Sequence, residues 1–261
     1  MTKTVVLSVL ETYYDAAPRP LATTEEIGPF TLFLRHDPNG WPYYARPRLW
    51  SDASVTVADV EAVRRRQREL EVPEAVEWVH ETTPTLLAAA EAAGLSVHRC
   101  PLLALEQPVE VPRHGDGWHV EVLDPDSQAI GPVQDAIGAG FSGTDEVKES
   151  EHGSRADLMR AGLFGLAGAF DRDGAALGGG SHNPRGRVTE LTGIAVLPRA
   201  RRQGVGAALT AALVEDAHAR GVETVFLSAQ DDAVARVYQR VGFVRVGTAC
   251  IAETPEERAP Q

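Results

Sequence analysis

Residues 190–206 read ELTGIAVLPRARRQGVG, the pattern of a strand, a basic loop and the first turn of a helix. The strand-like run is apolar, the loop contains three arginines, and Gly204 and Gly206 follow where the helical pattern begins. The first N–H groups of a helix lack backbone partners and lie at the positive end of its dipole, so they attract anions. The stretch therefore predicts a phosphate site, although a tight turn with close helix packing explains the two glycines equally well.

Two common phosphate-binding motifs are absent from this loop, which limits the kinds of phosphate ligand that it could bind. A Walker A loop ends in Gly-Lys-Ser/Thr, whereas this chain has Gly206-Ala207-Ala208, so no magnesium nucleotide site is indicated. A dinucleotide-binding fingerprint requires a third glycine where this chain has Leu209, and it places the first glycine close behind the strand. NAD is therefore disfavoured as the ligand.

The sequence around this loop alternates strand and helix patterns, which predicts an α/β fold. Downstream we expect a helix at 204–220, a strand at 222–227, a helix capped by Asp231, and a strand at 243–251. Upstream we expect strands at 118–123 and 188–196, helices within 124–139 and 154–161, and a hairpin formed by residues 163–170 and 175–181.

The first part of the chain has a similar alternation. The patterns predict strands at 5–10, 30–34, 43–50, 75–80 and 95–105, a turn at 38–40, and helices at 57–70 and 83–94. Residues 108–117 (PVEVPRHGDG) are polar, rich in Pro and Gly, and without apolar periodicity, so they are the expected linker. The expected domains are residues 1–115 and 118–261.

The two parts contain a candidate internal repeat at an offset of 148 residues. Placing Gly94 on Gly242 brings Thr83 onto the helix cap Asp231 and Leu95 onto Phe243. Strand, capped helix, glycine and strand then recur in register, although such patterns are common in α/β chains. A duplication therefore stays open on the sequence alone.

A longer pattern around the basic loop resembles a known family. Val196-x-Pro198-x-x-Arg201-Arg202-Gln203-Gly204-Val205-Gly206, followed by Asp231 and Tyr238-Gln239-Arg240-Val241-Gly242-Phe243, is similar to the GCN5-related N-acetyltransferase (GNAT) superfamily. The resemblance implies a GNAT fold in residues 118–261, a mixed and mostly antiparallel twisted sheet flanked by helices. Residues 1–115 would be a smaller, degenerate GNAT-like unit, because Ala90 matches Tyr238 and residues 51–56 contain no glycine.

The resemblance also implies a site for acetyl-CoA. The amides of the loop would hold its pyrophosphate, and the preceding strand would pair with its pantetheine arm and diverge from the next strand to admit it. The implied phosphate-binding residues are Arg201, Arg202, Gln203, Gly204, Val205 and Gly206, and the implied pantetheine-binding residues are Ile194, Ala195 and Val196. Asp231 stands where many relatives carry a cofactor-contacting Asn, but a carboxylate suits a helix cap better than a phosphate contact.

The implied reaction is N-acetylation by direct transfer of an acetyl group from the thioester to an amine. Tyr238 occupies the position of the tyrosine that protonates the departing thiolate, although ordinary packing also explains a tyrosine there. Glu190 is the candidate base, with pairing to Arg187 or Arg185 as the alternative, and His182 is a further candidate base. A non-catalytic acyl-CoA-binding or sensing module is the alternative to an enzyme.

Composition limits the partners and the compartment. The chain has 261 residues, 25 Lys+Arg and 37 Asp+Glu, a formal net charge of −12 that opposes binding to nucleic acid or to an anionic membrane. Cys100 and Cys250 show no spacing typical of a disulfide framework or a zinc site, so we expect buried thiols, no metal and a cytoplasmic location. The expected partner is an amine-bearing small molecule or peptide, and the expected state is a monomer (a tandem pseudo-dimer) or a homodimer.

Overall fold

The computed structural model describes residues 2–37, 42–49, 51, 54–150 and 155–255. The chain divides into two compact units, residues 1–102 with 246–261, and residues 103–245. Strands and helices alternate in both units, which confirms the predicted α/β class. No helix in the described part of the chain has the length and apolarity needed to cross a membrane.

Most of the first unit precedes the second along the chain. Its elements are α1 (Lys3–Ala16), β1 (Ala22–Ile27), β2 (Phe30–Arg35), β3 (Ala45–Pro47), α2 (Val57–Glu69), β4 (Ala75–Val79), α3 (Thr85–Ala92) and β5 (Ser96–Leu105), whose last residues enter the second unit.

The second unit contains the stretch that carries the motifs. Its elements are β6 (His114–Gly115), β7 (Trp118–Val122), α4 (Ile130–Phe141), α5 (Arg155–Arg160), β8 (Gly165–Asp171), β9 (Ala176–His182), β10 (Val188–Val196), α6 (Val205–Ala219), β11 (Thr224–Ser228), α7 (Asp232–Gln239) and the beginning of β12 (Phe243–Glu253).

The first element differs from the expected one. The predicted strand at residues 5–10 is wrong, because these residues lie in α1. The buried residues Leu7, Leu10, Tyr13 and Tyr14 recur every three to four positions and form one face of a helix. The prediction considered only the apolar run at 5–10, and the helical spacing becomes clear only when Tyr13 and Tyr14 are included. The predicted strand at 43–50 is reduced to β3, and the predicted turn at 38–40 lies outside the described residues.

The sheet of the first unit has the strand order β1-β2-β3-β4-β12. Its hydrophobic core lies against α2 and α3 and includes Phe30, Val60, Trp78 and Leu86. The part of β12 that belongs to this unit pairs antiparallel with β4, from Ala249 opposite Val79 to residue 253 opposite residue 75.

The part of the sheet that lies wholly in the second unit has the strand order β11-β10-β9-β8-β7-β6. Helices cover both of its faces, as the glycines of β9 show. A Cβ on Gly179 would lie 2.5 Å from Val133 Cγ1 of α4, and one on Gly180 would lie 3.1 Å from Leu213 Cδ1 of α6. Successive residues of a strand face opposite sides, so α4 and α6 pack on opposite faces of β9.

The compact units differ in two places from the ranges 1–115 and 118–261. The segment expected as a linker, residues 108–117, lies within the second unit, where Val109 N donates to Val241 O at 3.3 Å. Residues 246–261 belong to the first unit, because β12 pairs with β4 there. A Pro- and Gly-rich composition marked irregular backbone correctly, but it carried no information about these long-range pairings.

The candidate repeat is visible in the order and spacing of the elements. Adding 148 to the first residues of α2, β4, α3 and β5 gives 205, 223, 233 and 244, and α6, β11, α7 and β12 begin at 205, 224, 232 and 243. The strand preceding each of the helices α2 and α6 pairs in parallel with the strand following it. The predicted recurrence of strand, helix and strand is confirmed, and the longer helix before them recurs as well. The predicted cap at Thr83 is wrong, because the N-cap of α3 is Pro84 and no side chain caps the helix.

Candidate active site

The parallel strands β10 and β11 separate within the second unit. Their pairing begins at Val188 opposite Thr224 and ends at Glu190 opposite Phe226. Beyond this pair, β10 continues to Val196 alongside β9, with a register shift between Thr192 and Ala195. The divergence that the family resemblance implied is therefore present, and it exposes one backbone edge of β10.

The loop between β10 and α6 presents a series of unpaired amides. In the described part of the chain, the backbone N–H groups of residues 202–207 donate no hydrogen bond, and the first one used at this end of α6 is Ala208 N to Gly204 O at 3.0 Å. Arg202 and Gly204 have φ of 63° and 90°, a left-handed conformation that turns the chain into the helix. These amides lie at the positive end of α6, which suits an anion.

Neither packing nor backbone conformation requires a glycine at position 206. A Cβ built there would have no atom of the described residues within 4 Å, and Gly206 is not among the glycines with positive φ. Glycine within a helix costs up to about 1 kcal/mol relative to alanine, so the residue is locally unfavourable. The open space beside unpaired amides fits a phosphate group that approaches the backbone.

The three arginines of the loop have different environments. Arg199 N donates to Asp145 Oδ1 at 3.0 Å, and its guanidinium lies 3.8 Å from the same oxygen. The Arg201 guanidinium donates to the carbonyl oxygens of Val196 and Gly140 at 3.0 and 2.7 Å. Arg202 is exposed, and within the described ranges its side chain has no ion pair or hydrogen bond. The sequence did not distinguish these three roles.

Tyr238 lies on α7, with its ring buried in the core of the second unit. The side chain is 9% exposed, and the ring contacts Phe243 edge to face at a centroid distance of 6.2 Å. Burial raises the pKa of the Tyr238 hydroxyl to about 12. No hydrogen bond to this hydroxyl is formed by the residues that the structure describes. It therefore holds its proton at neutral pH and has it available for donation.

Glu190 is the last residue of β10 that pairs with β11, and it is half-buried. The neighbouring Thr189 and Leu191 are buried, and Leu191 packs in the core that includes α6. Alternation along the strand places Glu190 on the opposite face, which is the face covered by α4. Arg187, one alternative partner, forms an ion pair with Glu223.

His182 is not the loop residue that the sequence suggested. It is the last residue of β9 and is fully buried, with Nδ1 3.3 Å from Thr189 Oγ1 and Nε2 2.8 Å from Asp216 Oδ2. A Cβ at Gly165 would lie 2.1 Å from His182 Nε2, so Gly165 leaves room for the ring. The hypothesis that His182 acts as a base is wrong, because both nitrogens are engaged inside the protein.

We expect Asp216→Asn to lower the free energy of unfolding by about 1–3 kcal/mol at pH 7, because the buried bond to His182 is weakened. Burial acts to raise the pKa of Asp216, but hydrogen bonds from His182 and Arg220 outweigh it and lower the pKa below its usual value. A depressed pKa in the folded state stabilises the fold above the unfolded value of about 3.9, and this stabilisation is lost as the pH falls further. Urea denaturation of the wild type and of Asp216→Asn should show a smaller difference in the free energy of unfolding at pH 3 than at pH 7. A difference that is independent of pH would contradict this role.

Three other predicted residues have structural roles. Asp231 is the N-cap of α7, where its Oδ1 accepts a hydrogen bond from Val234 N at 2.8 Å. Both cysteines are free, and burial raises the pKa of the Cys250 thiol to about 11 and that of the Cys100 thiol above its usual value. Neither thiol is poised as a nucleophile.

Comparisons with known proteins relate part of this chain to a known family. Residues 139–243 match the model of the acetyltransferase (GNAT) family. A GCN5-related N-acetyltransferase from Kribbella flavida has a similar structure, with 23% sequence identity, 96% of each chain covered and a TM-score of 0.73. A tandem GNAT protein from the clavulanic acid biosynthesis pathway matches at 18% identity over 89% of this chain and 79% of its own, with a TM-score of 0.54.

The coverage of these matches extends the similarity of fold to both units of the chain. A search of curated proteins found no match. The described residues contain no group of three or more His, Cys, Asp or Glu side chains that could hold a metal ion. The motif, the separated strands and the unpaired amides lie within or next to the segment, residues 139–243, that matches the acetyltransferase (GNAT) family model.

Proposed function

We propose that the second unit transfers an acetyl group from acetyl-CoA to an amine, and that residues 202–207 bind the pyrophosphate. The observation that carries this proposal is the run of unpaired N–H groups beside the open space at Gly206. Arg202 adds a positive charge to this site in a protein whose formal net charge is −12. Acetyl-CoA is polyanionic, and the local charge of the loop suits it despite the overall charge of the chain.

We further propose that the exposed edge of β10 at Ile194 and Ala195 pairs with the pantetheine arm. This edge begins where the pairing with β11 ends, so its backbone groups have no neighbouring strand on that side. The Val196 carbonyl is excluded from the proposal, because Arg201 already donates to it. Asp231 is proposed only as a helix cap.

Acetyl-CoA supplies the acetyl group as a thioester, which is activated for direct transfer to a nucleophile. An aliphatic amine has a pKa near ~10.4 and is mostly protonated at neutral pH, so the protein must remove a proton from it. Glu190 is the proposed base, directly or through water. Tyr238 is the proposed acid that donates its proton to the departing sulfur, and its pKa of about 12 keeps it protonated beforehand.

The acceptor is proposed to be an amine-bearing small molecule or peptide. A net charge of −12 favours the approach of a cationic acceptor over an anionic one. The first unit is proposed to have no acetyl-CoA site of its own, since Ala90 replaces the tyrosine and residues 51–56 lack glycine. We also propose that the protein acts in the cytoplasm, as a monomer or a homodimer.

A spectrophotometric assay of CoA release tests this function. The full chain is incubated with acetyl-CoA and with polyamines, amino acids, aminoglycosides and peptides that have a free N-terminus, and a reaction without acceptor corrects for hydrolysis. We expect acceptor-dependent release with at least one amine class and an acetylated product of the corresponding mass. Stabilisation by acetyl-CoA without turnover on any acceptor would instead favour a binding or sensing module.

A further inference from the structure

The side chain of Arg201 is exposed, but its guanidinium bonds to backbone carbonyls of the protein, although Arg201 belongs to the proposed phosphate loop. Its Nε donates to Val196 O at 3.0 Å, and its Nη2 donates to Gly140 O at 2.7 Å. Val196 ends β10, and Gly140 lies in the last turn of α4. One planar guanidinium thus joins the loop to two other elements, using donors whose directions are fixed relative to each other.

The end of α4 is a favourable place for this charge. The last four carbonyls of a helix lack intrahelical partners and lie at the negative end of its dipole. Gly140 O is one of them, and it accepts hydrogen bonds from Gly143 N at 3.2 Å and from Arg201. The guanidinium therefore caps a carbonyl at the C-terminus of α4 and also binds the end of β10.

The same turn of α4 lies directly on β10. A Cβ on Gly140 would be 3.1 Å from both Val196 N and the Ala195 Cβ atom, so any other residue there would shift the helix or the strand by a few tenths of an ångström. Ala195 belongs to the proposed pantetheine edge. A shift of the end of α4 would consequently disturb both the strand and the loop that are proposed to hold acetyl-CoA.

A second connection links the segment after α4 to the same loop. Asp145 Oδ1 accepts a hydrogen bond from Arg199 N at 3.0 Å, at the beginning of the loop. The Arg201 bonds lie two residues further on. The loop is therefore held against the α4 side of the unit at two successive points.

We infer that Arg201 is a positioning residue that fixes the phosphate loop against β10 and the end of α4, and that Arg202 supplies the loop's charge to the phosphates. The inference rests on the proposed function and deepens it, since it divides adjacent arginines of one motif into a structural and a ligand-binding role. It also explains why a planar fork is required at position 201. A lysine ammonium is a compact charge and cannot reproduce the fixed geometry of both bonds.

The first test compares Arg201→Lys, Arg201→Gln and Arg202→Gln in the CoA-release assay, at a temperature where all three are folded. Misplacing the loop should lower kcat/KM by about 10²-fold for both Arg201 variants, with kcat and KM both affected. Arg202→Gln should raise the KM for acetyl-CoA by about 10-fold and leave kcat near the wild-type value, as expected for one lost charge-assisted bond. Arg172→Gln, on the hairpin between β8 and β9, is the matched surface control and should change neither constant.

The second test needs no ligand and no activity. Hydrogen–deuterium exchange of the free protein should be faster in the peptides covering residues 138–145 and 196–204 for both Arg201 variants. Arg202→Gln and Arg172→Gln should exchange like the wild type in these peptides. Because this readout concerns the free chain, it distinguishes failure of the positioning role from failure of the proposed function.

Two results would overturn the inference. One is Arg201→Lys with a KM for acetyl-CoA within about twofold of wild type, because charge alone would then suffice. The other is unchanged exchange at both peptides in a folded Arg201→Gln variant. If the wild type released no CoA with any acceptor, the proposed function would fail while the exchange result would still decide the role of Arg201.

Discussion

Replacing Tyr238 with Phe should lower kcat by about 10²-fold, the lower range for loss of a general acid, and leave the KM for acetyl-CoA nearly unchanged. The hydroxyl is the only group removed, and with a pKa of about 12 it stays protonated across the neutral range. The ring retains its edge-to-face contact with Phe243, so packing is preserved. Steady-state kinetics with a true acceptor measure both constants.

Stability provides an internal control for this variant. The hydroxyl accepts and donates no hydrogen bond within the described residues, so its removal should not lower the melting temperature. Tyr44→Phe is a matched variant, because the Tyr44 hydroxyl also has a pKa raised to about 12 by burial, but in the first unit. It should leave kcat within about twofold of wild type. An unchanged kcat in Tyr238→Phe would remove Tyr238 from the mechanism.

Replacing Gly206 with Val should weaken acetyl-CoA binding by about 10²-fold or more, since two charge-assisted hydrogen bonds of 1.5–3 kcal/mol would be blocked. The Cβ atom of the added side chain would have no atom within 4 Å in the part of the chain that the structure describes. The fold should tolerate the change for the same reason. Gly206→Ala should raise the free energy of unfolding by up to about 1 kcal/mol, because alanine favours a helix.

Gly138→Ala is the matched control for the effects on acetyl-CoA binding and on stability. Gly138 also lies in a helix, α4, and a Cβ there would likewise meet nothing within 4 Å. We expect a similar gain in stability and no change in affinity for acetyl-CoA. Calorimetric titration and thermal melts of all three variants separate the two properties. Full affinity in Gly206→Val would show that the ligand does not approach this backbone.

The sequence predicted the second unit well because its signals are local. The strand at 188–196 was predicted with the bounds that the structure has, and the cap at Asp231 and the recurrence at an offset of 148 are also present. Caps, glycines at turns and the apolar period are properties of a few consecutive residues, so one chain is enough to identify them. The resemblance to the GNAT motif added the expected fold of the second unit.

Most of the errors concern contacts between distant residues. His182 follows a glycine run and resembles a loop residue, but its burial depends on Asp216, which is 34 positions away. The roles of Arg199 and Arg201 depend on Asp145 and Gly140, which are 54 and 61 positions away in the sequence. Nothing in the local pattern at 199–202 indicates these partners. At residues 5–10, a short apolar run outweighed the helical spacing of the longer segment in the prediction.

The stoichiometry of acetyl-CoA binding to the full chain tests the central claim most directly. Isothermal titration should give one site per chain, because only the second unit presents unpaired amides next to a Gly-x-Gly turn, among the residues that the structure describes. The same titration of Gly206→Val should show little or no heat. No binding to the wild type, or two equivalent sites per chain with one surviving in Gly206→Val, would contradict an acetyltransferase with a single acetyl-CoA site at residues 202–207.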